Sequence, residues 1–400
     1  MNKILEDTRI LDFTHVWFGP YCTMTLAELG AEVITVEPPW GNIGRLGPGE
    51  MFKGTSSTFY ALNMNKKDIA IDMKQPEGIA LVKELAKKSD VVVQNFATGA
   101  MERLGLGYEE LKKLKPDIIY AALSGFGQTG PYRSYASYAA VAEAFSGHTY
   151  ATGKNYDVNG PPIPMAGALG DLGPAIYAAF AIVAALRHRD RTGEGQMIDV
   201  SQIDAMVAFN CCETVAYDLF KESPITRRKN RPQNPDHLWG IVPVKDGWIQ
   251  IAGERPKAID ALKQEFGVET VTLDMMKQKL GPMTRKEAFD WLVGFGVPAA
   301  PIYEAYEGLE DPQLKARNSF VEVDHPVAGR YKVPNFPVKF SATPGEVTSA
   351  APVLGQHTEE VLKKLLKKTP QEIEALEKTG TIDCWRGKTP PPETNLFPLM

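Results

Sequence analysis

The chain has 400 residues, 44% of them hydrophobic, and mixes 44 basic with 49 acidic side chains for a formal charge of −5. That length allows about two domains, and the interspersed charge leaves neither a basic stripe for a nucleic-acid backbone nor a polybasic patch for a membrane surface. Small molecules are the expected partners. The start, Met1-Asn2-Lys3-Ile4-Leu5-Glu6-Asp7, carries acids where a secretion signal needs positive charge, and the longest apolar run, Ala175 to Leu186, is shorter than a bilayer crossing. A cytoplasmic protein is expected. Cys22, Cys211, Cys212 and Cys384 form no Cys-x-x-Cys pair and no cluster with the scattered histidines. They are expected to be reduced thiols with no metal, the Cys211-Cys212 pair serving helix packing.

In chain order, short β-branched runs alternate with helical stretches. Strands are predicted at Ile10 to Thr14, Glu32 to Glu37, Ile69 to Asp72, Val91 to Val93 and Ile118 to Leu123, with helices at Tyr21 to Leu29 and Gly78 to Lys88. The alternation predicts an α/β fold with a parallel, Rossmann-like sheet covered on both faces. Pro174 suits the first turn of an apolar helix over Ala175 to Leu186, which makes Gly173 the expected N-cap. Met197 to Val200 adds a strand, and Gln202 to Leu219 reads as one long helix leaving the sheet. Ser223 to Asp236, with three prolines and Arg227-Arg228-Lys229, has linker composition. Strands at Ile241 to Val244 and Trp248 to Ala252 joined by Asp246-Gly247, followed by helices near Lys257 to Phe266 and Arg285 to Gly294, predict a small α+β domain. Tyr331 to Ala342 reads as an extended return strap. Helices then start at Thr358 and at Thr369-Pro370-Gln371-Glu372, a capping box. The large domain is thus expected from 1–220 and 327–400, so that N- and C-terminal segments build it, with the small domain and its linkers at 221–326.

Gly125-Phe126-Gly127-Gln128-Thr129-Gly130 matches a dinucleotide-loop pattern, but Pro131-Tyr132-Arg133-Ser134-Tyr135 intervenes where a helix must open, and the match comes late in the sheet. No nicotinamide or flavin cofactor is expected. Ligands of open α/β sheets bind at the carboxyl edges of the strands. Those edges carry Asp12-Phe13-Thr14-His15-Val16-Trp17-Phe18, Glu37-Pro38-Pro39-Trp40-Gly41 and Asn95-Phe96 with Arg103 one turn on. Together they offer hydrogen bonds, aromatic faces and a cation suited to phosphate. Asp171, in Gly167-Ala168-Leu169-Gly170-Asp171-Leu172-Gly173-Pro174, is a lone carboxylate at a helix start among small residues that would let a large ligand approach.

Several stretches share the order and spacing of one family: Leu11-Asp12-Phe13-Thr14-His15-Val16 with Gly19-Pro20, Leu26-Ala27-Glu28-Leu29-Gly30-Ala31-Glu32-Val33-Ile34, Asn65-Lys66-Lys67, Val93-Gln94-Asn95-Phe96, Ser124-Gly125-Phe126-Gly127, Gly170-Asp171, Thr192-Gly193-Glu194-Gly195-Gln196 and Leu354-Gly355-Gln356-His357-Thr358-Glu359-Glu360. Over nearly its whole length the chain resembles the class III CoA-transferases, the CaiB/BaiF or formyl-CoA transferase-like family. The resemblance implies an interlinked dimer with active sites between large and small domains of the pair. It implies Asp171 as nucleophile and a coenzyme A site along His15, Val16, Ile71, Met73, Asn95, Phe96, Arg103 and Tyr138. CoA enters as an acyl-CoA substrate. An aspartate with an ordinary pKa of about 3.9 is ionised at neutral pH and attacks a thioester without a general base, giving anhydride and aspartyl-CoA intermediates.

This chain departs from the formyl-CoA transferase-like pattern at Trp17, where those members carry glutamine, at Ala139, where they carry an acid, and in lacking their small-domain glycine run. Trp17, Phe18, Ala139 and Ala140 are therefore expected to shape a wider, apolar pocket for an aryl- or alkyl-substituted acid such as a substituted succinate, with succinyl-CoA as donor. Two alternatives stay open. An acyl-CoA racemase of the same fold would use Asp171 with a histidine, but Tyr138 holds that histidine's position and is a poor base. The chain could also be a non-catalytic partner in a hetero-oligomer, against which the intact Gly170-Asp171 speaks.

Overall fold

The computed structural model describes residues 3–157, 159–222, 238–253 and 255–387. The stretch from Ser223 to Asp236 read as a linker lies outside the described residues.

Contacts divide the chain into two compact units, one of residues 1–148, 165–210 and 318–400 and one of 149–164 and 211–317. The first is built on a seven-stranded sheet in the order Ile382–Asp383, Lys67–Ile71, Glu32–Glu37, Arg9–Asp12, Val91–Gln94, Ile119–Ser124, Met197–Ser201. All neighbours are parallel except Ile382–Asp383, which runs antiparallel to Lys67–Ile71. The six parallel strands follow the doubly wound order, which reverses direction between Arg9–Asp12 and Val91–Gln94. Their residues alternate between two cores. Leu11, Ile34 and Val92 face the helices Pro76–Ala86 and Thr358–Leu366, while Ile10, Val33 and Val91 face Phe18–Glu28 and Leu169–Thr192. Burial on both faces explains why these strands read as continuous apolar runs.

The return segment is stitched to the sheet edge. Asn65 Oδ1 accepts the Thr348 and Ser349 N–H groups at 2.7 and 3.0 Å, and Asp68 Oδ1 accepts the Gly355 N–H at 2.6 Å. The predicted capping box at Thr369 is present, with the Glu372 N–H on Thr369 Oγ1 at 3.2 Å and the Thr369 N–H on Glu372 Oε2 at 2.7 Å.

Four expectations are corrected. The helix expected to begin after Gly173 is Leu169–Thr192, a full turn earlier, with Pro174 inside it. At 24 residues it is long and apolar enough, by length and composition alone, to cross a membrane; half of its apolar window is packed in the core. Its other side leaves Ile176, Tyr177, Phe180 and Val183 exposed, Phe180 by 71%. The single helix expected over 202–219 is two, Gln202–Phe209 and Cys211–Phe220, broken at Asn210, whose side chain donates to the Ser146 carbonyl at 2.8 Å. Cys211 and Cys212, expected to pack, are exposed. The expected bounds at 220 and 326 fall at 210/211 and 317/318 by contact, and residues 149–164, expected in the large domain, group with the second unit, because contacts follow packing partners and not local composition.

In the second unit, an antiparallel sheet of Ala299–Pro301, Gly247–Ala252 and Trp239–Val244 packs Val242, Ile249 and Ile251 against Leu262, Met276, Leu280 and Leu292 from three helices.

Candidate active site

The site forms in the first unit where the sheet order reverses. Asp12, at the end of its strand, is fully buried and accepts the Thr14 N–H and hydroxyl at 2.9 and 2.6 Å, the Thr23 hydroxyl at 2.6 Å and the Lys66 ammonium at 3.1 Å. An ion pair so deeply desolvated is held together by this geometry. It fixes the following loop. From the neighbouring strand, Asn95 closes the loop: its Oδ1 accepts the His15 N–H at 3.0 Å and its Nδ2 donates to the His15 carbonyl at 2.9 Å. The Asn95 amide thereby bridges two strand edges through one donated and one accepted bond. The His15 ring meets Phe96 edge-on at 5.4 Å, and burial, opposed by the Asp12 charge, lowers its pKa. Val16 sits at φ 68°, a left-handed conformation that costs a β-branched residue about 1–3 kcal/mol and is kept only where the surroundings over-determine it. Those surroundings include Gly44, on which a Cβ would come within 2.9 Å of the Val16 nitrogen.

A groove of about 390 Å³ runs from His15 and Phe96 along Ile71, Met73 and Trp40, a volume in the range of small-molecule sites. The loop bearing Trp40 is anchored by Glu37, which accepts the Asn42 N–H at 2.8 Å and pairs with the buried Arg45 at 2.8 Å. Lys74 Nζ stands 4.9 Å from the Trp40 ring centroid.

Beyond His15, a smaller cavity of about 100 Å³ is lined by His15, Val16, Trp17, Phe18, Asn95, Tyr138, Asp171 and Gln202, with Ser124, Gly125 and Ser137. Asp171 lies in the first turn of Leu169–Thr192, 9% exposed. That turn forms because Ala168 adopts φ 51° and the buried Glu143 accepts the Gly170 N–H at 2.9 Å, a cap supplied from another helix. Gly170 is obligatory, since a Cβ there would lie 2.3 Å from the Ala139 carbonyl oxygen. Gln202 Nε2 donates to Asp171 Oδ1. Burial first, then the Glu143 charge, pushes the Asp171 pKa up to about 7, with Gln202 opposing. The expectation of an aspartate with its ordinary acidity is thereby corrected: burial and a like-charged neighbour make it more basic.

Of the residues singled out in the sequence, His15, Val16, Trp17, Phe18, Asn95, Tyr138 and Asp171 meet at the cavity, and Ile71, Met73 and Phe96 at the groove. Arg103 is exposed and lines neither, Ala139 is buried beneath Gly170, and Ala140 faces away as an exposed residue. Phe18 is mostly core, packed with Cys22 and Leu26, and Trp17 rests partly on the cluster of Met24, Leu62 and Met64. The wide apolar pocket is therefore not what these residues build in one chain. Sequence reasoning missed Gln202 and Glu143. Gln202 directly follows a strand, at the edge where ligands bind, a readable signal; Glu143 is the one charge within Ala139–Phe145, but its contact with Gly170 is tertiary.

The sequence profile of CoA-transferase family III matches residues 5–358. The chain is 34% identical to the succinyl-CoA:glutarate CoA-transferase of Homo sapiens, over 96% of this chain and 91% of that protein. It is 35% identical to the succinyl-CoA–D-citramalate CoA-transferase of Chloroflexus aurantiacus, over 94% and 98%. A crystal structure of a CaiB/BaiF family protein from Brucella suis superposes with a TM-score of 0.81 at 28% identity, covering 91% of this chain and all of that one. The chain belongs to CoA-transferase family III. It is an enzyme that transfers coenzyme A, a class whose substrates are CoA thioesters.

Proposed function

We propose that the enzyme moves CoA from an acyl-CoA thioester to a free carboxylic acid through covalent intermediates on Asp171. The single observation that carries this reading is a buried carboxylate, held at one oxygen by Gln202, lining a cavity that shares His15 with a ligand-sized groove. The groove along Ile71, Met73, Phe96 and Trp40 takes the CoA moiety, with Lys74 of its lining as a cation for the phosphates and the exposed Arg103, outside that lining, as a second. The cavity takes the acyl group. Asp171 in its ionised form is the nucleophile. The names of two relatives, both succinyl-CoA-dependent with dicarboxylic acceptors, support succinyl-CoA as donor. The small cavity beside Trp17 favours a short dicarboxylic acceptor such as a substituted succinate over an aryl-bearing acid. A second copy of the chain, interlinked with the first, covers the exposed Ile176, Tyr177, Phe180 and Val183. Sedimentation over a range of concentrations then shows a dimer with no folded monomer.

The substrate test incubates the enzyme with a panel of acyl-CoAs and free acids and follows CoA exchange by mass spectrometry. Exchange between succinyl-CoA and short dicarboxylates is expected. Exchange confined to monocarboxylic acids contradicts the acceptor assignment.

A further inference from the structure

We propose that Gln202 is a catalytic residue, its side-chain amide being the oxyanion donor for both attacks made at the Asp171 side-chain carbon. The proposal rests on the reading of Asp171 as nucleophile. Gln202 sits between two fixed points: Ser201 donates its hydroxyl to the Gly125 carbonyl at 3.2 Å, and the Ile203 N–H reaches the same carbonyl at 3.2 Å. The residue is 4% exposed and its side chain delivers Nε2 to Asp171 Oδ1. Among the described residues the Asp171 carboxylate has no other hydrogen bond, so Oδ2 is the oxygen left to react.

The chemistry then assigns Gln202 to particular steps. Oδ2 attacks the acyl carbon of the donor thioester and the CoA thiolate leaves, forming a mixed anhydride in which Oδ1 is the aspartyl carbonyl oxygen. The thiolate next attacks the aspartyl carbon Cγ, the carbonyl electron pair moves onto Oδ1, and collapse expels the donor's carboxylate to leave an aspartyl-CoA thioester. The acceptor carboxylate attacks Cγ in turn, loads Oδ1 again and expels the CoA thiolate. In the last step the thiolate attacks the acceptor's acyl carbon and the Asp171 carboxylate leaves. No proton is transferred. Only the two middle steps convert a neutral carbonyl at Oδ1 into an alkoxide, and that is where an already aligned N–H gains most. In the first and last steps the negative charge forms on the substrate's oxygen, out of reach of a donor committed to Oδ1.

The test is rapid-quench kinetics with succinyl-CoA and no acceptor, on the wild-type enzyme and on Gln202→Leu and Gln202→Met. Free CoA thiol reports the first step, and the mass of the Asp171 peptide bearing covalent CoA reports the second. Loss of one oxyanion donor is expected to slow the second step by about 10²–10³-fold while the first changes by less than about fivefold. Equal slowing of both steps reduces Gln202 to a positioning role and overturns the proposal, as does no slowing. In the wild-type enzyme labelled with ¹³C-aspartate, the thioester carbonyl stretch is expected below that of a free thioester, and an unshifted band also overturns it. Absence of any CoA adduct on wild-type Asp171 is a different outcome, which removes the nucleophile assignment itself.

Discussion

Asp12 and Asp171 are buried carboxylates of the same compact unit, and their surroundings treat them in opposite ways. Asp12 receives hydrogen bonds from Thr14, Thr23 and Thr35 and an ion pair from Lys66. Asp171 receives one hydrogen bond from Gln202 among the described residues and has Glu143 as a like-charged neighbour. A carboxylate whose lone pairs are all engaged is an anchor. One with an oxygen left without a hydrogen bond among the described residues, beside a cavity and with its basicity raised by burial, fits the proposed role of a reagent. The site thus joins a rigid half, which fixes the loop from Phe13 to Trp17, to a half left chemically unsatisfied.

The largest effect that can break this contrast is on stability. Lys66→Met strands the Asp12 charge in the core and is expected to cost about 3–5 kcal/mol. Thermal and urea unfolding read it, and a cost under about 1 kcal/mol means that Asp12 is no anchor. Trp17→Gln comes next. Trp17 both lines the cavity and rests on Met24, Leu62 and Met64, so the change is expected to lower the melting temperature and to reduce kcat/KM for a bulky acceptor more than for a small one. The lost aromatic contact is worth about 1–3 kcal/mol, roughly tenfold to a hundredfold in the ratio. A lowered melting temperature with an unchanged ratio removes Trp17 from acceptor selection.

The smallest effect is on pH dependence. With the Asp171 pKa near 7, transfer is expected to rise with pH through about 7, as the nucleophilic form appears. The stability contribution has the opposite sign. Between about 4, where the unfolded aspartate titrates, and about 7, the native state holds a proton that the unfolded chain has lost, so this group's contribution falls as pH rises. Glu143→Gln keeps an acceptor for the Gly170 N–H but removes the like charge, and is expected to move the midpoint of the rate profile downward. An unmoved midpoint assigns the whole shift to burial.

Much of this was legible in the residues. The strands of the parallel sheet followed from β-branched runs, and the edge that carries the groove and cavity followed from Asn95, Phe96 and His15 ending neighbouring strands. The start of the Asp171 helix was not legible, because Pro174 is a local signal while the earlier turn is held by Glu143, 27 residues before Gly170. The raised basicity of Asp171 was hidden for the same reason, as both of its causes are tertiary. Trp17 and Phe18 look alike as neighbours, yet one reaches the cavity partly exposed and the other is largely swallowed by the core. Chain direction after a strand decides this, and the residue types do not record it. Asn95 was legible as a residue of the cleft but not in its structural task, since among the described residues its amide bonds the His15 backbone.

The most direct test of a reactive Asp171 is to trap it. The enzyme is mixed with succinyl-CoA without acceptor, reduced with borohydride, digested and sequenced by mass spectrometry, with Asp171→Ala as control. Reduction of the Asp171 side chain to its alcohol is expected in the wild-type enzyme, and no transfer by Asp171→Ala although it still binds the CoA thioester. An unmodified Asp171 peptide from enzyme that turns over normally, or transfer by Asp171→Ala near the wild-type rate, would contradict it.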